Sequence, residues 1–383
     1  MAMVYVDSLN AIYPTNWEKH KLHDLCTINY GQSPNRILDQ DGIYPVVGTS
    51  GTTRKGNDYF IDGETVIIGR KGSIAKPYYY NEKIWVIDTA FFTSDHKNLD
   101  CRWLFYYLDN SKLARLNEST GVPSLSRATL YNIELWCPPI LEQQKISQIL
   151  STWDRAIERV QRLIEAKQRQ KNQLVSRLLS GQKRFPGFHD EWKQVKLGAF
   201  LHPKFRKVVK PAGAYLRLGI RSHGKGTFTS VVDDPETIAL THLFQARKDD
   251  LIVNITFAWE GAIALVGPDG DGALVSHRFP TYVFDTSKML PEYFKHLMIT
   301  DRFFYELDLI SPGGAGRNRV MNKGDFLKIT VAVPDIEEQK KIAGVLGGMD
   351  EQIALLKKYL EKLKKQKKGL MQKLLTGEIR VKV

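Results

Sequence analysis

Apolar side chains recur at alternating steps of four and three residues along two long stretches of the chain. The first stretch carries Ile146, Leu150, Trp153, Ile157, Val160, Ile164, Leu174 and Leu178 at these steps, with Lys167 and Lys171 interrupting the apolar series. The second carries Ile342, Leu346, Met349, Ile353, Leu356, Leu360, Leu363, Leu370 and Leu374, with Lys367 interrupting it at the position that matches Lys171. A mean step of 3.5 residues predicts two long helices, each with one narrow apolar seam of the coiled-coil type.

Two amphipathic helices that each lie on a separate domain would give a similar pattern. Because both stretches carry the same narrow seam, we favour helices that pack on each other. The packing residues that we expect are Ile146, Leu150, Trp153, Ile157, Ile164, Leu346, Met349, Ile353 and Leu360.

The two stretches are copies of one sequence. "PPILEQQKISQIL" (138–150) returns as "VPDIEEQKKIAGVL" (333–346), and residues 138–184 and 334–380 align without gaps, with 17 identities in 47 positions. Each copy has a proline just before the predicted helix, where a missing N–H does no harm. Gly181 and Gly377 follow it, where a capping glycine belongs. Each copy therefore predicts one helix of roughly 38 residues, about 57 Å long at 1.5 Å per residue.

A β-rich block precedes each helix. "ETVIIGRKGSIAKPYYY" (64–80) and "DDLIVNITFAWEGAIALVG" (249–267) are β-branched and aromatic runs broken by glycine or proline, which predicts strands. One helical pattern follows in each block, at 102–116 and 291–307. The frames are similar, but residues 46–90 and 215–283 do not align, so the connecting loops have diverged. We predict an α+β chain divided at 1–137, 138–182, 183–333 and 334–383.

Charge narrows the class of partner. The 383 residues carry a formal net charge of +13 and a pI near 9.4, which favours a polyanionic partner such as nucleic acid. No apolar run approaches the roughly 20 residues that span a bilayer, so we expect no membrane association. The first residues lack a signal-peptide pattern, so we expect a cytoplasmic protein. Cys26, Cys101 and Cys137 are widely spaced, so we expect buried free thiols.

The paired phrases, the helix ends "LVSRLLSG" and "LMQKLLTG", and the segment "GTSGTTRKGNDYF…ETVIIGRKGSIA" resemble the specificity subunit of type I restriction-modification systems. The resemblance covers roughly 15–383. It implies two β-rich target recognition domains separated by two long antiparallel coiled-coil helices, in a pseudo-twofold internal repeat. It further implies that each recognition domain reads one half of a bipartite site in double-stranded DNA.

The resemblance also implies partners. Members dock two modification (methyltransferase) subunits, with restriction subunits added in the full complex, and the helices set the gap between the half-sites. The specificity subunit itself is not catalytic. The target bases are not implied, because they depend on the diverged loops.

Basic and polar residues beside loop glycines are the candidates for DNA contact, since Arg, Lys, Asn and His bind phosphates and base edges. In the first block these are Ser50, Arg54, Lys55, Asn57, Arg70 and Lys71. In the second they are Arg217, Arg221, His223, Lys225, His277, Arg278, Arg317, Asn318 and Arg319. We expect Trp259 and the three tyrosines at 78–80 to be core or wall residues rather than residues that stack on bases.

An enzyme is the alternative: a self-sufficient two-domain methyltransferase or nuclease acting on DNA. The chain has no Asn-Pro-Pro-Tyr-type motif, no GxxxxGK[ST] loop and no paired-histidine spacing. "GGAGRNR" (313–319) does not lie in a strand–GxGxxG–helix unit. Asp62, Glu64 and Lys71 are a nuclease-like set of a kind that arises by chance. We therefore expect a non-catalytic chain with no cofactor and no metal site.

Overall fold

A computed structural model describes residues 13–314 and 319–383. The chain forms two compact units, and both long helices contribute to each of them. The first unit comprises the chain up to Arg162 together with Lys358–Val383, and the second comprises Leu163–Lys357.

The first unit alternates short strands and short helices before its long helix. Its elements are β1 Glu18–Lys21, α1 Leu22–Leu25, β2 Thr27–Tyr30, β3 Tyr44–Gly48, β4 Gly51–Gly56, β5 Glu64–Gly69, β6 Tyr78–Asn81, β7 Trp85–Val86, β8 Ala90–Ser94, α2 Cys101–Asn110, a 3-10 helix Leu113–Leu116, α3 Arg127–Tyr131 and β9 Glu134–Cys137. The described residues of this unit form three sheets, in the orders β2-β8-β5-β6, β4-β3-β7 and β1-β9.

The second unit has more strands. Its elements are β10 Lys193–Lys196, β11 Leu201–Pro203, β12 Lys207–Val209, β13 Tyr215–Ile220, β14 Thr227–Val232, β15 His242–Gln245, β16 Leu251–Val253, β17 Ile263–Leu265, β18 Leu274–Val275, β19 Thr281–Phe284, α5 Pro291–Leu297, α6 Asp301–Leu309, α7 Lys323–Phe326 and β20 Thr330–Val333. Short 3-10 helices lie at Leu197–Ala199, Pro235–Thr237, Ala258–Glu260 and Pro268–Gly270. The sheet orders are β11-β19-β16-β17, β12-β15-β18-β13-β14 and β10-β20.

The duplication extends to the sheets. In each unit the strand before the long helix pairs antiparallel with the strand that opens the block, as β1-β9 and as β10-β20. Each unit also has a four-stranded antiparallel sheet in which the strands follow the same order of first, fourth, second and third. The remaining sheet has three strands in the first unit and five in the second. We call the two-stranded and four-stranded sheets that both units share the frame. The units differ in the remaining sheet, of three or five strands, which we call the second sheet.

Two short helices differ from the sequence prediction. The pattern at 102–116 forms α2, and Lys112 then enters the left-handed region at φ 54° before a 3-10 turn. The pattern at 291–307 forms two helices because Thr300 caps α6, its side chain accepting from the Phe303 N–H. The apolar pattern continues through both interruptions, so it could not reveal them.

The long helices are continuous: α4 spans Ile140–Leu179 and α8 spans Ile336–Leu375, 40 residues each. Gly181 and Gly377 follow them with φ of +73° and +71°, so the predicted capping glycines are confirmed. No helix in the described part of the chain is both long and apolar enough to cross a membrane.

The helices pack antiparallel within each unit. In the first unit, Ile146 and Leu150 of α4 share a core with Met371 and Leu374 of α8. In the second, Leu178 of α4 shares a core with Ile342 and Leu346 of α8. The nine residues predicted to pack the helices are all buried or half-buried: Ile146, Leu150, Trp153, Ile157, Ile164, Leu346, Met349, Ile353 and Leu360.

The lysines that interrupt both seams form ion pairs across the helices. Lys171 Nζ lies 2.5 Å from Asp350 Oδ1 in the second unit, and Lys367 Nζ lies 2.5 Å from Asp154 Oδ1 in the first. Both lysine side chains are largely buried, 11% and 14% exposed. Asp154 also accepts from the Tyr106 hydroxyl at 2.6 Å. Each of these lysines therefore forms an ion pair with an aspartate of the opposite helix, and this pair fixes the register of the two helices in its unit.

The shared glutamate of the repeat is a buried anion. Glu142 accepts two 2.7 Å hydrogen bonds from the Arg380 guanidinium, and the Trp17 indole N–H lies 3.4 Å from it. Glu338 makes the same contacts with Arg184, at 2.7 and 2.8 Å, and with Trp192, at 3.2 Å. We call each set a Trp–Glu–Arg cluster. It joins the start of a long helix to the opening strand of the block and to the segment after the other long helix.

The glutamine that follows ties the same helix turn to the block. Gln143 accepts from the Asp100 N–H and donates to the Asn98 and Pro138 carbonyls. Gln339 accepts from the Leu290 N–H and donates to the Lys288 and Pro334 carbonyls. The phrase occurs twice because each block is attached to its helix by the same Glu-Gln pair.

The cysteines are free and buried, as predicted. Burial raises the pKa of the Cys26 and Cys137 thiols to about 12. Thiols with such high pKa values carry little thiolate and are poor nucleophiles.

Candidate nucleic-acid interface

The β3–β4 hairpin of the first unit displays the first predicted cluster. Ser50 lies in its turn, followed by Gly51 at φ +85°, and Arg54 and Lys55 extend from β4 with exposed side chains. Among the described residues neither cation has a carboxylate at ion-pair distance. Both cations thus remain available to an external anion.

Asn57 has an internal contact instead. Its Nδ2 donates to Asp39 Oδ2 at 2.7 Å, and this bond holds the pKa of the Asp39 carboxyl below its usual range. The contact attaches the end of β4 to the loop that precedes β3. Asn57 therefore supports the hairpin with its amide donor.

Arg70 and Lys71 lie at the end of β5, beside a second loop. The backbone of Lys71 forms an isolated antiparallel β-bridge with Ser124, and the Gly72 N–H donates to the Pro123 carbonyl. Arg70 Nη1 donates to the Asp88 carbonyl at 3.1 Å, and its guanidinium lies 5.0 Å from the centre of the Tyr30 ring. These two contacts orient the Arg70 guanidinium.

Sequence reasoning missed two residues at this place. The guanidinium of Arg127, at the start of α3, lies 5.1 Å from the same Tyr30 ring, and Tyr30 is 45% exposed. Neither Arg70 nor Arg127 has an ion-pair partner within the part of the chain described. The signal in the sequence was Arg127 itself, a basic residue directly after the "GVPSLS" loop with no acidic residue nearby in the sequence to pair with it.

In the second unit the β13–β14 hairpin carries four of the predicted residues. Arg217 donates to Ser230 Oγ at 3.3 Å, and Arg221 donates to the Thr227 carbonyl while lying 5.0 Å from the Phe228 ring centre. His223, at φ +61°, and Lys225 are exposed in the turn.

The turn after β18 carries His277 and Arg278, both exposed. Arg278 Nη1 lies 3.3 Å from Thr256 Oγ1, and the His277 carbonyl accepts from Lys323. A cleft of about 600 Å³ lies between this turn and the β13–β14 hairpin. It is lined by Arg217, Ser222, Phe228, Glu260, Ser276 and Phe279, among others. The cleft thus brings together two segments that lie some 60 residues apart in the sequence.

Arg319 differs from the other predicted cations. It donates to the Ser311 and Asp308 carbonyls and pairs with the Asp308 carboxylate at 2.7 Å, and it lies 5.0 Å from the Trp259 ring centre. Its N–H donors are largely satisfied within the protein, so its guanidinium is less available to DNA than the other predicted cations. Arg317 and Asn318 lie outside the described residues.

The acids considered for a nuclease have local partners. Asp62 lies 3.9 Å from Lys83, and Glu64 accepts from the Tyr79 hydroxyl. Within the described ranges, no group of three or more His, Cys, Asp or Glu residues is placed to hold a metal ion.

Comparison with known proteins gives the family. The chain matches the type I restriction modification DNA specificity domain twice, over residues 14–168 and 190–365. It is 24% identical to the type I restriction enzyme MjaVIII specificity subunit of Methanocaldococcus jannaschii, over 96% of this chain and 94% of that one.

Solved structures agree in fold. The crystal structure of the type I restriction-modification S subunit from M. genitalium superposes with a TM-score of 0.64 at 16% identity, covering 96% of this chain and 98% of that one. A chain from a structure on complex assembly and conformational transition of a type I system gives a TM-score of 0.52 at 13% identity, covering 96% of this chain and 100% of that one. The chain belongs to the family of type I restriction-modification specificity subunits, which recognise DNA and leave catalysis to other subunits.

Proposed function

We propose that each unit reads one half of a bipartite DNA site. The observation that carries this proposal is the common frame with unlike second sheets: both units have the same four-stranded order, while the other sheet has three strands in one and five in the other. Two readers built on one frame with different loops are suited to two different half-sites.

The first half-site would be contacted by the β3–β4 hairpin and the Arg70 loop. Arg54 and Arg70 are the proposed base readers, because a guanidinium donates to both acceptors of a guanine in the major groove. Tyr30 and the Asp88 carbonyl hold Arg70 in one orientation, which favours such a bidentate contact. Lys55, Lys71 and Arg127 are the proposed phosphate contacts, and Ser50 is a further polar contact.

The second half-site would be contacted around the cleft of the second unit. Arg217 and Arg221 are the proposed base readers there, and His223, Lys225, His277 and Arg278 add polar and basic contacts. None of these six has a carboxylate at ion-pair distance among the described residues. Cations without a carboxylate partner are able to displace counterions from DNA phosphates.

Type I specificity subunits associate with DNA and with methyltransferase and restriction subunits. For this chain we propose two modification subunits, docked on the long helices, with restriction subunits added for cleavage. The helices would also set the spacer between the half-sites, since one continuous element runs from each block into the next. Cellular DNA as the ligand is the reason to propose a cytoplasmic location.

The test is the methylated motif in cells that express this chain with its modification subunit. We expect one motif with two specified halves and an unspecified spacer of fixed length. A single continuous motif would contradict the bipartite proposal. The purified chain alone should bind duplex DNA with a steep salt dependence and should neither methylate nor cut it.

A further inference from the structure

Glu260 is an acidic side chain in the middle of the proposed basic interface of the second unit. It ends the short helix Ala258–Glu260 and lines the cleft together with Arg217 and Ser222. Its carbonyl accepts from the His223 N–H at 2.7 Å, and the Gly261 carbonyl accepts from the Gly224 N–H at 2.9 Å. Two backbone hydrogen bonds therefore place Glu260 directly beside the turn of the β13–β14 hairpin.

The carboxylate is only partly satisfied. Glu260 Oε2 accepts from Ser222 Oγ at 2.8 Å. Among the described residues, no lysine, arginine or histidine lies at ion-pair distance from either oxygen, and Oε1 has no donor. This is unexpected in a segment that carries Arg217, Arg221, His223 and Lys225, any of which would gain from an ion pair.

An unpaired carboxylate repels phosphates, so it weakens a surface that only binds the DNA backbone. It is useful where the DNA offers a donor, because an ionised carboxylate is purely an acceptor. In the major groove the donors are the exocyclic amino groups, N4 of cytosine and N6 of adenine. Glutamate accepting from cytosine N4 is a recognised mode of direct base readout, and adenine N6 offers the same kind of donor.

We propose that Glu260 is a specificity-determining residue, which accepts a hydrogen bond from the amino group of one cytosine or adenine. This inference rests on the proposed function, since it assigns that base to the half-site read by the second unit. Ser222 orients the carboxylate through Oε2 and leaves Oε1 to the base. Lys225 and Arg278, which are exposed nearby, contact the phosphates and so offset the repulsion.

A role in folding alone predicts a different outcome. The hairpin is held to residues 260 and 261 by backbone groups, so it does not require the Glu260 side chain. Glu260→Gln keeps an acceptor for Ser222 and nearly the same volume but removes the charge. Any effect of this variant on base preference therefore reports on the carboxylate.

The experiment measures methylated motifs in cells that express the modification subunit with the wild-type chain, Glu260→Gln or Glu260→Ala. We expect discrimination at one base pair of the second half-site to fall about 10-fold or more in Glu260→Ala, with every other position unchanged. If the wild-type base is adenine, Glu260→Gln should keep that preference, because glutamine also accepts from N6. If the wild-type base is cytosine, Glu260→Gln should shift preference towards adenine, which glutamine binds through N6 and N7. The position that changes identifies which amino group is read.

Glu292→Gln is the matched control, because Glu292 is an exposed carboxylate on α5 of the same unit. It should leave the motif intact. An unchanged motif in both Glu260 variants would overturn the proposal, and so would an equal loss of methylation at all sites. Failure of the proposed function would be seen separately, as a wild-type chain that directs no bipartite motif.

Discussion

At the scale of single residues, the Trp–Glu–Arg clusters should contribute to stability. Glu338 is 1% exposed, and Arg184 is its only described cationic partner. Removing Arg184 leaves the buried Glu338 carboxylate without its cation, which is destabilising. We expect Arg184→Ala to lower the free energy of unfolding of the second unit by clearly more than a substitution at an exposed ion pair does, as measured by denaturant titration.

Arg162→Ala is the control for that titration. Arg162 pairs with Glu158 one turn away on the same helix, and its side chain is 74% exposed. Exposed pairs of this kind contribute about 0.3–0.5 kcal/mol. A loss in Arg184→Ala as small as the loss in Arg162→Ala would show that the cluster does not anchor the block.

Arg70 and Arg127 share the Tyr30 ring but should act differently. Arg70 is oriented by Asp88 and Tyr30, so Arg70→Ala should relax one position of the first half-site, by about 1–3 kcal/mol of discrimination. Arg127→Ala should leave the motif unchanged and weaken binding to all sequences, with the salt slope falling by about 0.9. Both are measured by binding of the purified chain to matched and mutated duplexes over a salt series. A reversed result, with Arg127→Ala relaxing the motif, would exchange the two roles.

The sequence predicted positions at this scale but could not predict their partners. Most of the predicted cations do lie in exposed turns and hairpins. Arg319 looks identical to them in sequence, yet Asp308, 11 residues earlier, pairs with it across a loop. Arg184 lies in a turn-rich link, and its glutamate is 154 residues away. Such pairs depend on tertiary packing, which a single sequence does not encode locally.

At the scale of elements, the long helices were the most predictable part. Their seam, their capping glycines and their extents follow from periodicity and end signals that are local to the chain. The meaning of the interrupting lysines was not predictable, because it depends on an aspartate in the opposite helix. Asp154 and Lys171 are 17 residues apart in α4, and Asp350 and Lys367 are 17 residues apart in α8. The two ion pairs therefore require equal helix lengths between these points.

That equality gives a test of the spacer. Four residues are inserted after Val160 in α4 and four after Leu360 in α8. Both ion pairs stay in register, because the distance between the aspartate and the lysine grows equally in the two helices. Each helix lengthens by about 6 Å, and coiled coils accommodate such a four-residue stutter by local unwinding. We expect the spacer of the methylated motif to lengthen by about one or two base pairs, at 3.4 Å each, with both half-sites unchanged.

The insertion after Val160 alone is the control, because it places one ion pair out of register. That variant should be less stable than the matched double insertion. An active double insertion with the original spacer would show that the helices do not set the gap and serve only to dock partners.

At the scale of the whole molecule, the central claim is that the two units are separate readers on a common frame. The order of elements was predictable from the duplication. The strand order of the second sheets was not, because it depends on loops of unequal length whose sequences have diverged. The five-stranded sheet of the second unit and the cleft beside it appear only in three dimensions.

The most direct measurement is the methylated motif after exchange of one reader. Residues 17–137 are replaced by the recognition domain of another family member. The donor domain is chosen to begin with tryptophan, so that the hydrogen bond from the indole N–H to Glu142 is kept. The chimaera is expressed with its modification subunit, and the motif is read genome-wide. The account predicts that one half of the motif changes to the donor's half-site, while the other half and the spacer length stay the same. A chimaera in which both halves change, or neither does, would contradict it.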